Sequence, residues 1–275
     1  MPQILAQMYD NSDCPLWTST GPTSRVLGMT MVFVHGFPET NAIWDPLRSL
    51  LDGESVALAL PGFGVPRAAG FSATKDAYAD WLAGELRAIE GPLDLVGHDV
   101  GALLTLRVVS AYDVEVRSYA VDVAPIFHPG SVWSERTQQL QTPGIGEELL
   151  RAVRETPPDD PGSPASRLAG VGVPVPMAKA MAAAYDETMC GCMLDFYRSA
   201  VPNVAADWWQ DIHGPTRARG LVLLLPDPPE EEQMSLEVAE RLGAQTARLD
   251  DLEHCWMAEA PDVVAAALRR FWATA

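Results

Sequence analysis

The pentapeptide Gly97-His98-Asp99-Val100-Gly101 sets a carboxylate between two glycines. It follows the apolar run Leu93–Val96 and opens an apolar helical stripe, Val100–Val109. Glycines at both ends suit a tight strand-to-helix turn, where side chains would meet neighbouring backbone. Serine is the usual central residue of such a turn, and here aspartate takes its place. At a helix N-terminus the dipole keeps a carboxylate ionised and able to attack an electrophilic carbon. The competing reading is an aspartate that only caps the helix.

Three further features point to the same chemistry. His35-Gly36-Phe37-Pro38-Glu39 ends the run Met29–Val34. A turn of that kind would aim the Phe37 N–H at the carboxylate. With the Val100 N–H it would make a two-donor oxyanion hole. The histidines are His35, His98, His128, His213 and His254, and only His254 falls between the last strand and the last helix expected. Asp227 stands just past the run Leu221–Leu225 and could accept the second ring N–H of His254, fixing its tautomer. The neighbouring Glu230, Glu231 and Glu232 read as a solvated face; any one of them could be the acid instead of Asp227, but none sits at the strand end.

The elements that must position these groups are legible as short apolar, β-branched runs. Strands are expected at Met29–Val34, Val56–Leu60, Leu93–Val96, Tyr119–Val123, Leu221–Leu225 and Thr246–Leu249. Two more edge strands are expected nearer the N-terminus, in ILAQMY and PLWTST. Amphipathic helices are expected at Thr74–Ile89, capped by Thr74 or Ser72, and at Val100–Val109 and Asp262–Trp272. Strands alternating with helices make an α/β fold, a mostly parallel sheet with helices on both faces. The alternation stops over 126–214, a proline-rich segment with helical stretches near 146–154 and 177–197. We expect a core domain of residues 1–125 and 215–275. A helical insertion, 126–214, would lie over the carboxyl ends of the strands, where open α/β sheets bind ligands.

Composition narrows the class. The chain has 275 residues, 48% of them apolar and 20% charged, enough for such a domain. A net charge of −18 argues against nucleic acid or an anionic membrane as partner. No run approaches the length of a membrane-spanning helix, and the first residues lack the marks of a secretory signal, so a cytoplasmic location is expected. Cys14, Cys190, Cys192 and Cys255 form no Cys-x-x-Cys pair, so neither a disulfide framework nor a structural metal site is expected.

The order HGFPE, PGFG, GHDVG and then a late Asp and His resembles the α/β-hydrolase superfamily over nearly the whole chain. Aspartate in the elbow is similar to the epoxide hydrolase and haloalkane dehalogenase branch. The resemblance implies Asp99 as nucleophile, His254 as base, Asp227 as acid, and no cofactor or metal. Some relatives carry the acid on the strand after the elbow helix; Asp122 lies near there but is expected to face away. Leu194-Asp195-Phe196-Tyr197-Arg198 resembles the cap signature of epoxide hydrolases, which implies Tyr197 as donor to the epoxide oxygen. A second donor would be Trp133, His128 or Tyr185. His35, Pro38, Trp44, His98, Trp133 and Tyr185 are expected around the substrate. Dehalogenases of this kind usually follow the nucleophile with Trp, and fluoroacetate enzymes with Arg; Val100 matches neither. The reading is an epoxide hydrolase whose partner is a small-molecule epoxide, with a homodimer left open. The alternatives are a haloalkane or haloacid dehalogenase, another hydrolase with an Asp nucleophile, or a non-hydrolytic binding member of the fold.

Overall fold

The computed structural model describes residues 29–273. The two edge strands expected before Met29, and Cys14, lie outside the described residues. Six strands form one parallel sheet: β1 (Thr30–Val34), β2 (Glu54–Leu58), β3 (Leu93–Gly97), β4 (Val116–Val121), β5 (Arg219–Leu224) and β6 (Gln245–Arg248), in the order β2-β1-β3-β4-β5-β6. Helix α1 (Asp45–Arg48) precedes β2, and α2 (Lys75–Ala88) and α3 (Val100–Ala111) flank β3. Between β4 and β5 come α4 (Glu135–Gln141), α5 (Ile145–Glu155), α6 (Pro164–Ala169), α7 (Val175–Ala182), α8 (Glu187–Ser199) and α9 (Ala205–Trp208). Helix α10 (Pro229–Leu242) joins β5 to β6, and α11 (Trp256–Glu259) and α12 (Pro261–Ala273) close the chain.

Strand β1 reads TMVFV without a polar break because both of its faces are covered. Val32 and Val34 pack with Leu95, Val121 and residues of α2 and α3. Met31 and Phe33 point the other way, toward Val96, Trp256 and Leu268. The two-residue period of a strand thus divides one apolar run between two cores.

Some element boundaries differ from the sequence reading. Strand β2 starts and ends two residues earlier than expected. Its ladder to β1 runs from Thr30↔Glu54 to Val34↔Leu58, so Ala59 and Leu60 have no strand residue opposite them. The expected helix over 177–197 is two helices. The Asp186 carboxylate accepts from the Met189 N–H at 2.8 Å and starts α8 afresh. Helices α1, α4, α6, α9, α10 and α11 were not foreseen; all but the 14-residue α10 have seven residues or fewer, too short for a clear 3.6-residue period, and α10 opens on the acidic run that was read as a solvated face. The α2 cap is Thr74, whose hydroxyl accepts from the Ala77 N–H at 3.2 Å, a bond worth about 1 kcal/mol.

The strand order sets the place of the site. The chain leaves β1 toward β2 on one side and returns to β3 on the other. The loops after β1 and β3 therefore part in opposite directions and open a crevice at the carboxyl ends of these strands. They carry His35–Glu39 and His98–Asp99.

Candidate active site

Asp99 sits at φ 50°, ψ −120°, the residue between β3 and α3. This is a sparsely populated conformation that costs about 1–3 kcal/mol and persists only where surroundings enforce it. Three neighbours do so. His98 N–H donates to Val34 O at 3.0 Å, and Asp99 N–H donates to Asp122 Oδ1 at 3.0 Å. Gly101 lets α3 lie against β1: a Cβ there would stand 2.2 Å from Val34 O. Asp99 makes no side-chain capping bond to α3, so it is not an ordinary N-cap. Its carboxylate instead faces the crevice.

The loop after β1 meets that carboxylate directly. Phe37 N–H donates to Asp99 Oδ1 at 3.0 Å. Gly36 makes the approach feasible, because a Cβ there would lie 2.4 Å from Asp99 Cβ. Val100, whose N–H is the other expected donor, is the first residue of α3 and is buried. His254 Nε2 lies 3.8 Å from Asp99 Oδ2. One carboxylate oxygen is thus held by an amide while the other faces an imidazole.

Beneath Asp99 lies a carboxylate whose orientation the sequence reading had wrong. Asp122 is fully buried and is the hub of the site. Besides the Asp99 N–H it takes His98 Nδ1 at 2.5 Å and Trp256 Nε1–H at 2.6 Å. Strand alternation was expected to turn it away. However, β4 ends at Val121 and Val123 is left-handed at φ 47°, so the two-residue period does not reach position 122. Burial opposes charge on His98, but the Asp122 carboxylate beside it holds its pKa well above the ordinary value. Burial likewise works against the Asp122 anion, yet His98 keeps its pKa below normal. They form a buried imidazolium–carboxylate pair.

His254 has the opposite tendency. Burial, then the charge of His98, lower its pKa below 6.5, against the pull of Asp99 and Asp122. Its ring centroid is 4.5 Å from that of His98. Glu39, from the HGFPE turn, completes the group. Burial, opposed by His98 and reinforced by Asp99, raises its pKa to about 7. One atom each from Glu39, His98 and His254 lies within 4.8 Å of the others, and Glu39 Oε2 and His98 Nε2 are buried without a partner. Two imidazoles and a carboxylate can ligate a divalent cation. A His98 held as imidazolium, though, offers a proton at Nε2 rather than a lone pair. The set better suits a water that accepts from His98 and yields a proton to His254. The sequence reading placed Glu39 in its motif and missed this role; the one clue was an acidic residue beside the oxyanion loop.

A cavity of about 260 Å³ ends on Phe37, Glu39 and His254. Its opposite wall comes from helices between β4 and β5 and includes Tyr185 and Tyr197. The Tyr197 phenol has no protein partner among the described residues, and burial, then Asp99, push its pKa up. Of the second-donor candidates, only Tyr185 lines this cavity. Trp133 spends its indole N–H on Ala200 O at 2.8 Å and braces Tyr197 edge-on at 5.7 Å. His128 pairs with Glu237 at 3.1 Å on another face. Among the other residues expected around substrate, Pro38 lines the cavity, whereas His35 and Trp44 are buried behind it. His35 accepts from the Leu60 N–H at 3.1 Å, and Trp44 packs edge-on against His98 and Trp256.

The alpha/beta hydrolase family model matches residues 31–267. The chain belongs to this family. None of the curated proteins matches this hydrolase in sequence. Its fold is similar to a laboratory-evolved variant of potato epoxide hydrolase (16% identity, 90% of this chain and 93% of that one, TM-score 0.69). It is also similar to a haloalkane dehalogenase from Bradyrhizobium elkani (19%, 92% and 92%, 0.67) and to a thermophilic esterase from Thermogutta terrifontis (20%, 90% and 90%, 0.65). At these identities the likeness is one of fold.

The acid of the hydrolase was expected at Asp227, and the structure does not bring it to His254. No hydrogen bond or ion pair joins the two among the described residues. Burial and the nearby Glu231 and Asp122 raise the Asp227 pKa, with no cation to offset them. Asp122 is the carboxylate whose charge reaches His254. Asp122→Asn should leave a buried His98 without its counter-charge and destabilise the protein by about 3–5 kcal/mol. Asp227→Asn should stay within about 0.5 kcal/mol of wild type. Denaturant midpoints of the two variants check this; equal midpoints would remove Asp122 from its place as hub.

Proposed function

We propose that this α/β-hydrolase opens epoxides to vicinal diols. The observation that carries the reading is the arrangement around Asp99. Oδ1 is held by the Phe37 N–H, Oδ2 faces His254, and two phenols, Tyr197 and Tyr185, line the wall opposite. In this reading the segment 126–214 serves as the cap.

Asp99 Oδ2 attacks an epoxide carbon and the ring C–O bond breaks. The electron pair goes to the departing oxygen, which takes a proton from Tyr197 assisted by Tyr185. The product is a hydroxyalkyl ester of Asp99, with Oδ1 as the ester carbonyl. Water in the gap between Glu39, His98 and His254 loses a proton to His254 and attacks Cγ. The charge that appears on Oδ1 falls on the Phe37 N–H, already in place, with the Val100 N–H as second donor. On collapse the leaving oxygen takes the proton from His254 and the diol departs; the proton left on the Asp99 carboxyl restores the Tyr197 phenol. Asp122 acts through the His98 pair and the Asp99 backbone, as a positioning residue in place of Asp227. Neither step calls for a metal or an organic cofactor.

A dehalogenase reading is weaker on the same geometry. The residue after the nucleophile is apolar Val100, and among the described residues no tryptophan lines the cavity to hold a leaving halide.

Tyr197→Phe tests the epoxide step. The ring and its packing on Trp133 and Phe37 are kept, so folding should be little affected. Negative charge builds on the epoxide oxygen only during ring opening. Loss of one donor should therefore slow alkylation by about 10²–10³, less if Tyr185 shares the load, and leave ester breakdown near wild type. Pre-steady-state kinetics on styrene oxide separate the two steps. An unchanged alkylation rate would remove Tyr197 from the mechanism.

A further inference from the structure

The reading above leaves open what else the substrate carries, and the cavity holds two groups it does not use. Leu140, Leu150, Val153, Leu168 and Met193 make most of the wall apolar. Among them stand two guanidiniums, Arg136 on α4 and Arg167 on α6. Both residues are exposed, so they mark where the cavity opens to solvent.

Cations are scarce in this chain, 19 Lys and Arg against 37 Asp and Glu. Three other arginines around the cavity helices have found acids, Arg67 with Asp195, Arg198 with Glu147 and Arg151 with Glu155, while Arg154 on α5 lies outside the cavity lining. Arg136 has no acceptor among the described residues. Arg167 gives its Nε–H to Gly162 O at 2.9 Å, which fixes the guanidinium and leaves its terminal nitrogens without a carboxylate. The two charges act on each other: burial, then Arg167, lower the Arg136 pKa. Water solvates both guanidiniums, but two like charges at one cavity mouth, in a chain with acids to spare, create a local positive field that favours an anion there.

Their position limits what that counter-charge belongs to. Arg136 interacts electrostatically with both Tyr185 and Tyr197, and Tyr197 in turn with Asp99. The cations therefore adjoin the wall that would receive the epoxide oxygen. A cavity of about 260 Å³ is also below the range of roughly 300–1,000 Å³ usual for drug-sized ligands. Resting on the epoxide hydrolase reading, we propose that the substrate is a small epoxy acid. Its carboxylate is held between Arg136 and Arg167, a few bonds from the ring that Asp99 opens. Planar guanidiniums suit a carboxylate, which they can bind with paired N–H donors.

The test uses two matched pairs of probes. Phenylglycidate and phenylglycidamide differ only in charge and report turnover. Cinnamate and cinnamamide have the same outline without the epoxide and report binding by calorimetry. Wild type should favour each acid over its amide by roughly tenfold to hundredfold, the span of a hydrogen bond to a charged group. In Arg136→Gln and Arg167→Gln that ratio should fall toward one, and Arg136→Lys should keep part of it. Equal handling of acid and amide by wild type, in turnover and in binding, would overturn the proposal while leaving epoxide hydrolysis standing. Cinnamate preference lost in Arg136→Gln, with neither epoxide hydrolysed, would keep the carboxylate site and sink the epoxide reading. Failure of wild type to bind cinnamate would overturn the carboxylate site outright.

Discussion

Asp99→Asn is expected to reduce diol formation by about 10⁴–10⁶, the scale seen when a covalent nucleophile is removed. The amide keeps the shape of the carboxylate, and its oxygen can still accept from the Phe37 N–H. The backbone bond from Asp99 N–H to Asp122 is untouched. Circular dichroism and melting temperature should therefore stay near wild type while turnover is lost. What disappears is the free charge on Oδ2, and with it the first bond to carbon. Single turnover of wild type in H₂¹⁸O gives the positive counterpart. Water attacks the Asp99 carbonyl, so the label should appear first in the enzyme and not in the diol. Label found in the first-turnover diol, or near-normal activity in Asp99→Ala, would rule out the covalent route.

The second large effect separates the half-reactions. His254→Gln should still be alkylated, because Asp99 attacks without a base. Ester hydrolysis should slow by about 10²–10⁴, the usual contribution of a positioned general base. Intact-protein mass spectrometry should then show an adduct of substrate mass that persists. The pH profile of the wild-type step follows from the same environment. A base works when unprotonated, and burial with the charge of His98 depresses the His254 pKa. Ester hydrolysis should therefore hold its rate as pH falls through 6.5 and fail only below, at the lowered pKa. A His254→Gln protein with neither adduct nor activity would make His254 structural.

Much of this site was legible residue by residue. Asp99, Phe37 and His254 were singled out from short-range signals, and the structure brings the three together. Glycines admit the close contacts of a turn, the apolar run before His35 stops where β1 stops, and His254 falls between the last strand and the last long helix. The identity of the carboxylate partner was not legible. Asp122 was set aside on strand alternation, and the left-handed turn at Val123 ended that alternation one residue too soon. Asp227 had the right place in the chain, but no approach to His254 resulted.

The helices between β4 and β5 show the same division. Tyr197 was singled out from its local pattern and lines the cavity, but the choice among Trp133, His128 and Tyr185 as a neighbour to it could not be read that way. It turned on what each polar atom already bonds. Ala200 takes the Trp133 N–H and Glu237 takes His128, from points 67 and 109 residues away along the chain (200 − 133 and 237 − 128). The parallel sheet and the tight turn that carries Asp99 could be read from the chain alone, because backbone geometry and hydrophobic period are properties of neighbouring residues. Folding was needed to show that Asp122 bonds His98, that buried Glu39 and His98 atoms stand unpartnered near His254, and that Arg136 and Arg167 line one cavity. Those facts depend on distances between helices and loops remote in the chain, set by how the two cores pack around the sheet.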